Sequence, residues 1–90
     1  MNIKVGDLIN GNKKVLLALL DQGELTISEL KERCGLSLTG MYSALNKLIK
    51  AGLLEEVRES NFPFRRLVRL TKKGREAALL LRRLDEILKM

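Results

Sequence analysis

The fold is decided by residues 26–54, which read TISELKERCGLSLTGMYSALNKLIKAGLL. Within this stretch, residues 37–51 carry apolar side chains at helical spacing, so one side of a helix is expected to pack inward. The inward side comprises Leu38, Met41, Tyr42, Leu45, Leu48 and Ile49. The opposite side has small, amide-bearing or cationic residues and no acid, namely Thr39, Gly40, Ser43, Asn46, Lys47 and Lys50. This composition favours an anionic partner.

A shorter helix of about six residues is predicted just before this one. Ser28 is the expected N-cap, Glu29 lies favourably in the first turn, and Gly35 can end the helix in the left-handed conformation. Ser37 can then cap the next helix. Two helices joined by a short turn that contains glycine form a helix-turn-helix, whose second helix enters the DNA major groove.

Composition and charge support a single small nucleic-acid-binding domain. The chain has 90 residues, 46% of them hydrophobic and 3% aromatic, which predicts one domain with an aliphatic core. Its net charge is +6, and residues 31–75 alone contain 11 Lys or Arg against 4 Glu. A basic segment of this kind is typical of a nucleic-acid-binding surface. The alternative is a surface that only keeps the protein in solution.

Several classes of function find no support in the sequence. One cysteine and no histidine exclude an internal disulfide framework and the usual zinc sites. Cys34 is expected to be a small buried hydrophobe. We find no phosphate loop and no nucleophile with a base at a recognisable spacing, so we predict neither an enzyme nor a cofactor. Without a long apolar run or a signal peptide, we expect a cytoplasmic protein that does not contact a membrane.

The rest of the chain is predicted to supply two further helices and a β-hairpin. Val15, Leu16, Leu19 and Leu20 have helical spacing, and Asn12 could cap their helix. The predicted elements are a short helix or arm at 1–11, a helix at 13–22, a connector or brief strand at 24–27, strands at 53–59 and 64–70, and a helix at 72–89 capped by Thr71.

Three arginines are placed near the loop of the predicted hairpin. Arg58, Arg65 and Arg66 could lie along the DNA backbone or enter the minor groove. They could instead pair with Glu55, Glu56 and Glu59 across the two strands. Phe62 and Phe64, on either side of Pro63, are expected to pack the loop onto the body of the domain.

The last helix has more apolar surface than a small domain can cover, particularly at its far end. Pairing of this helix with a second copy would bury the surplus, which predicts a homodimer. The predicted interface residues are Leu80, Leu81, Leu84, Ile87 and Leu88. Leu79 lies outside this face.

The order of elements is that of the winged helix-turn-helix. Residues 24–56, ELTISELKERCGLSLTGMYSALNKLIKAGLLEE, resemble the core of MarR- and ArsR-type transcriptional regulators, and residues 67–78, LVRLTKKGREAA, resemble the end of the MarR wing and the start of the next helix. The short chain is most similar to the small archaeal or viral proteins of this type. The cysteine and histidine clusters of ArsR metal sensors are absent.

These observations together predict a mostly helical α+β protein with a two-stranded wing. We expect an arm at 1–11, a winged-helix core at 12–71 and a dimerisation helix at 72–90. The resemblance implies a homodimeric regulator that binds specific double-stranded DNA, without a small-molecule effector. Its predicted DNA-binding residues are Ser37, Thr39, Gly40, Tyr42, Ser43, Asn46, Lys47, Lys50, Arg58, Arg65 and Arg66. The competing hypothesis is a protein-interaction adaptor, which exposure of Leu67 on the wing would favour.

Overall fold

The computed structural model describes residues 4, 6 and 11–90, so most of the predicted arm lies outside the described residues. The elements are α1 (Gly11–Gln22), β1 (Glu24–Thr26), α2 (Ile27–Cys34), α3 (Leu38–Lys50), β2 (Leu54–Arg58), β3 (Arg66–Leu70) and α4 (Lys72–Leu88). This is the predicted α+β winged helix. The wing comprises β2, β3 and the loop 59–65 between them.

Helix α2 begins at a different residue from the one predicted. Its N-cap is Thr26, because Glu29 lies three residues later and completes a capping box. The Glu29 amide donates to Thr26 Oγ1 at 3.2 Å, and the Thr26 amide donates to Glu29 Oε1 at 2.9 Å. The prediction of Ser28 as N-cap was therefore wrong. Asn12 was also misassigned as a cap, since it lies within α1.

Helix α3 begins where the sequence predicted. The Gly40 amide donates to Ser37 Oγ at 3.0 Å, which confirms Ser37 as the N-cap. Gly35 at φ 65° makes the left-handed turn between α2 and α3. Such a turn strains any residue with a Cβ atom. The two helices therefore have the connection that the sequence predicted.

The buried stripe of α3 is narrower than its apolar pattern suggested. Its buried side chains are Met41, Ala44, Leu45 and Leu48. Leu38 and Tyr42 were predicted to face inward, but they are 55% and 49% exposed. Leu36, in the turn before α3, is partly buried and packs against the core.

The sheet has three strands, one more than the predicted wing. β3 is central and pairs antiparallel with both β1 and β2. Val68, at the centre of β3, lies between Leu25 of β1 and Glu56 of β2. A two-stranded hairpin is marginally stable in isolation, so the pairing with β1 supports the wing.

Helix α4 belongs to the same core over its first half. Ala78 and Leu81 are buried, so the hydrophobic core extends beyond residue 71 into α4. Leu81 was predicted to lie at a dimer interface, but its burial within the single chain makes it unavailable there. Gly74 lies against the chain after α3, where a Cβ atom would be 1.9 Å from the carbonyl oxygen of Leu53. Further along, α4 is joined to α1 by the ion pairs Lys13–Asp85 and Arg82–Asp21.

Candidate nucleic-acid interface

The outer side of α3 carries most of the predicted DNA-binding residues. Those exposed to solvent are Ser37, Thr39, Tyr42, Ser43, Asn46 and Lys50, whereas Gly40 and Lys47 are half-buried. No acid occurs between residues 38 and 50. This side therefore offers hydroxyl and amide groups along the helix and two cationic groups at its end. Groups of both kinds can bind the phosphates of a polyanion.

The C-terminal end of α3 is held by the start of α4. Lys73 Nζ donates to the carbonyl oxygen of Ala51 at 3.0 Å, and Thr71 Oγ1 donates to the carbonyl oxygen of Gly52 at 2.6 Å. Both bonds satisfy carbonyl groups near a helix end. Sequence reasoning assigned no role to Lys73, because its partner is 22 residues away. These bonds fix the orientation of α3 relative to α4, the helix that follows the wing.

Two arginines of the wing are neutralised by glutamates of the same chain. Arg65 donates through Nη2 and Nε to Glu59 Oε1, at 2.7 and 3.0 Å. Arg69 donates through Nε to Glu55 Oε1 at 2.7 Å and lies 3.5 Å from Glu24 Oε1. The alternative that glutamates pair with the wing arginines is therefore observed for Arg65. The hydrogen bonds between the two side chains lower the pKa of Glu59 below its usual value and raise the pKa of Arg65.

The other two wing arginines are left without such partners. Arg58 and Arg66 lie directly opposite each other in the β2–β3 register, and both are exposed. Among the described residues, the structure records no ion pair for either side chain. Like charges at directly opposite positions of a β-ladder repel each other and destabilise it. An anion placed between or beside the two guanidinium groups would relieve this repulsion.

The wing loop differs from the prediction in the placement of its aromatic rings. Phe62 is 86% exposed, and its ring contacts Phe64 edge-to-face at a centroid distance of 6.3 Å. The Phe64 amide donates to the carbonyl oxygen of Asn61 at 2.8 Å, which closes a tight turn. This turn keeps both rings at the tip of the wing, so they pack on each other and not on the body.

The outer surface of the sheet offers little apolar area. Leu67, whose exposure would have favoured an adaptor, is only half-exposed and lies opposite Val57 and Thr26 in the neighbouring strands.

Within residues 11–90 together with 4 and 6, we found no group of histidine, cysteine or acidic side chains that could hold a metal. No helix in this described part is long and apolar enough to cross a membrane.

Solved structures with the same fold are transcriptional regulators of the winged-helix class. A MarR family regulator from Silicibacter pomeroyi matches with a TM-score of 0.84 at 21% identity, over 93% of this chain and 56% of that one. The PcaV transcriptional regulator from Streptomyces coelicolor matches with a TM-score of 0.76 at 29% identity, over 84% of this chain and 56% of that one. The chain thus spans little more than half the length of these regulators.

A family profile makes the assignment more specific. The profile described as "Sugar-specific transcriptional regulator TrmB" matches residues 7–73, which is most of the chain. The chain therefore belongs to the TrmB family of transcriptional regulators and has the winged-helix fold of MarR-type proteins. This confirms the resemblance seen in the sequence and the prediction that the chain is not an enzyme. A comparison with curated protein sequences found no match.

The expectation that no small molecule regulates the protein loses its support in these comparisons. NadR, solved in complex with 4-hydroxyphenylacetate, matches with a TM-score of 0.77 at 21% identity, over 93% of this chain and 67% of that one. PcaV has also been solved with its natural ligand. Proteins with this fold thus include ligand-binding regulators, and the fold gives no reason to exclude an effector here.

Proposed function

We propose that the chain binds specific double-stranded DNA as a homodimer, with α3 in the major groove and the wing, at residues 58–66, on the backbone or in the minor groove. The observation that carries this proposal is that Arg58 and Arg66 lie directly opposite each other and form no ion pair with any residue that the structure describes. These two charges repel each other in the free protein, and a phosphate group would neutralise them. DNA supplies phosphates at regular intervals on both sides of the groove that α3 would occupy.

Within α3, the exposed amide and hydroxyl groups are assigned to base readout. The Asn46 side chain can pair with adenine through two hydrogen bonds, Lys47 can donate to guanine acceptors, and Ser43 can contact either type of base. Ser37, Thr39, Gly40 and Lys50 are assigned to the phosphates on either side of the groove. Arg65 has a different role, since its bond to Glu59 positions the wing loop and leaves less of its charge for DNA.

The dimer is proposed to form through the distal half of α4. Leu80, Leu84, Ile87 and Leu88 are all exposed in the single chain. Full burial of an exposed Leu or Ile side chain contributes about 1.5 to 3 kcal/mol, and pairing could add the share still exposed, about half of it for Leu84 and Ile87 and more for Leu80 and Leu88. A two-fold pairing of α4 with its copy would bury them together and place the two copies of α3 about one DNA turn, ~34 Å, apart. Such a dimer would favour inverted-repeat sites.

The DNA-binding part of the proposal is tested by gel-shift titration against random double-stranded fragments at several salt concentrations. Neutralisation of phosphates releases counterions, so log affinity should fall linearly with log salt, with a slope on the order of −4 to −8 for a dimer. An affinity that does not change with salt would contradict the proposed contacts between the wing and the DNA backbone.

The dimer is tested by sedimentation equilibrium of the wild type beside the double variant Leu84→Glu, Leu88→Glu. We expect a dimeric wild type and a folded, monomeric variant. Leu79→Glu is the matched control, because Leu79 is a half-exposed residue of the same helix outside the proposed interface. A double variant that remains dimeric would place the interface elsewhere.

A further inference from the structure

The first two turns of α3 expose an apolar pair that the core does not use. Leu38 is the first residue of the helix, directly after the Ser37 N-cap, and is 55% exposed. Tyr42 follows one turn later and is 49% exposed. Residues four apart lie on the same side of a helix, so the two side chains form one small apolar surface. This surface adjoins Thr39, Ser43 and Asn46, the exposed polar residues of the proposed interface.

The position of the pair determines what it can contact, and here the argument rests on the proposed function. In helix-turn-helix proteins, the N-terminal residues of the recognition helix approach the base edges most directly. The edges of the bases in the major groove are polar, with one exception, which is the C5-methyl group of thymine. An exposed leucine at the start of α3 has no hydrogen bond to offer to the other base edges.

We propose that Leu38, with the edge of the Tyr42 ring beside it, reads a thymine methyl group in each half-site. Leu38 supplies the apolar contact, and Tyr42 shields the methyl group from water on the side towards Ser43. The contact favours thymine because burial of a methyl group removes apolar surface from water. Cytosine and deoxyuridine offer no methyl group at this place and gain nothing from the leucine.

The spacing along α3 relates this contact to the one assigned to Asn46. Leu38 and Asn46 are eight residues apart, which is about 12 Å along the helix axis at 1.5 Å per residue. Base pairs stack at about 3.4 Å, so the two contacts should fall on base pairs roughly three to four steps apart. A half-site should therefore hold a thymine and, at that distance, the adenine read by Asn46.

The charge of α3 and of the wing favours DNA over a protein partner for this surface. α3 has no acidic residue and carries Lys47 and Lys50 in its last turn, and Arg58 and Arg66 are exposed on the wing that follows. An apolar patch within a cationic surface suits a ligand that carries both negative charge and a methyl group. Thymine within a DNA duplex has both.

The test uses sites selected from a random double-stranded pool with the wild-type protein. Each thymine of a selected site is then replaced singly by deoxyuridine, which removes only the methyl group. We expect one replacement in each half-site to weaken binding about fourfold, the factor that corresponds to loss of one buried methyl-sized group. The variant Leu38→Ala should bind the thymine and deoxyuridine probes equally.

The matched control is Leu79→Ala, an exposed leucine on α4 that should retain the fourfold ratio. A wild-type protein that binds all deoxyuridine probes equally would overturn this inference and leave the proposed DNA binding intact. A ratio that persists in a folded Leu38→Ala protein would assign the methyl contact to another residue and would also overturn it. Failure to bind any duplex at low salt would instead overturn the proposed function.

Discussion

Helix α3 and the wing follow one another in the chain but leave different chemistry exposed. α3 presents hydroxyl, amide and apolar groups along most of its outer side, whereas the wing presents the guanidinium groups of Arg58 and Arg66. Hydrogen bonds and apolar contacts distinguish bases, while charge contacts to phosphate are the same for any sequence. The comparison suggests that specificity and sequence-independent affinity are divided between the two regions.

The largest expected effect, on stability and on DNA binding together, comes from a substitution at the start of α4, which packs against the chain segment between α3 and the wing. In Gly74→Ala, the new Cβ would approach the Leu53 carbonyl oxygen to 1.9 Å, so α4 or the backbone after α3 must move. Such overpacking costs 1–3 kcal/mol or more, and we expect a fall in melting temperature of roughly 10 °C or greater, with loss of both affinity and specificity. Thermal unfolding followed by circular dichroism measures the fall in melting temperature.

Gly6→Ala is the matched control for this change. No heavy atom lies within 4 Å of its added Cβ, so its melting temperature should stay close to that of the wild type. If Gly74→Ala were as stable as this control, the close approach of α4 to Leu53 would be wrong.

The second prediction removes the charge of the wing and leaves α3 unchanged. Arg58→Gln with Arg66→Gln should weaken binding to all duplexes alike and reduce the salt slope by about 0.9 for each lost phosphate contact, or roughly 3 to 4 for a dimer. Gel-shift titrations at several salt concentrations measure the slope. Arg75→Gln with Arg83→Gln loses the same charge on exposed residues of α4 and should change the slope less. Equal slopes for the two double variants would remove the special role of the wing.

The third prediction changes α3 and leaves the charge unchanged. Asn46→Ala should reduce discrimination at one base pair of each half-site, by about 1–3 kcal/mol, with a smaller effect for Ser43→Ala. Competition between a selected site and its single-base variants measures the discrimination. The salt slope should stay that of the wild type. If Asn46→Ala weakened all duplexes equally, readout of bases would have to be assigned elsewhere.

The smallest effect concerns acid pH. The pKa of Glu59 is lowered by its bonds to Arg65, so this carboxylate favours the folded wing above pH 4.5, its usual value, and the contribution is lost as pH falls through the lower folded value. Amide protection in the loop 59–65, measured as hydrogen exchange corrected for the intrinsic pH dependence of the exchange rate, should therefore fall at acid pH before protection in α3 does. Glu59→Gln should show the faster loop exchange at neutral pH already, whereas Glu56→Gln should not. Loop protection that is independent of pH would contradict the role of the Glu59–Arg65 pair.

The sequence predicted those parts of the fold that depend on near neighbours. Ser37, Thr71 and Gly35 act within a few residues of their own positions, and each was assigned correctly. Thr71 is the N-cap of α4, where its Oγ1 accepts a hydrogen bond from the Gly74 amide at 3.0 Å. Thr26 was missed as a cap because Ser28 is also a good capping residue, although only Thr26 has a glutamate at the capping-box distance.

Features that depend on distant parts of the chain could not be read in this way. β1 was an ambiguous connector until its pairing with β3 placed Glu24 opposite Arg69. Which wing arginines are neutralised depends on the strand register and the loop geometry, which pair Arg65 with Glu59 and leave Arg58 opposite Arg66. These placements determine the proposed site, so its residues remain predictions.

Methylation protection on a selected duplex tests the central claim most directly. Dimethyl sulfate reacts with guanine N7 in the major groove and with adenine N3 in the minor groove, so one experiment reports on both grooves. The account predicts protected guanine N7 atoms in two groups about one turn apart, covered by the two copies of α3, and weaker protection of neighbouring adenine N3 atoms by the wings. Protection confined to the minor groove, or a single protected group in the major groove, would contradict it.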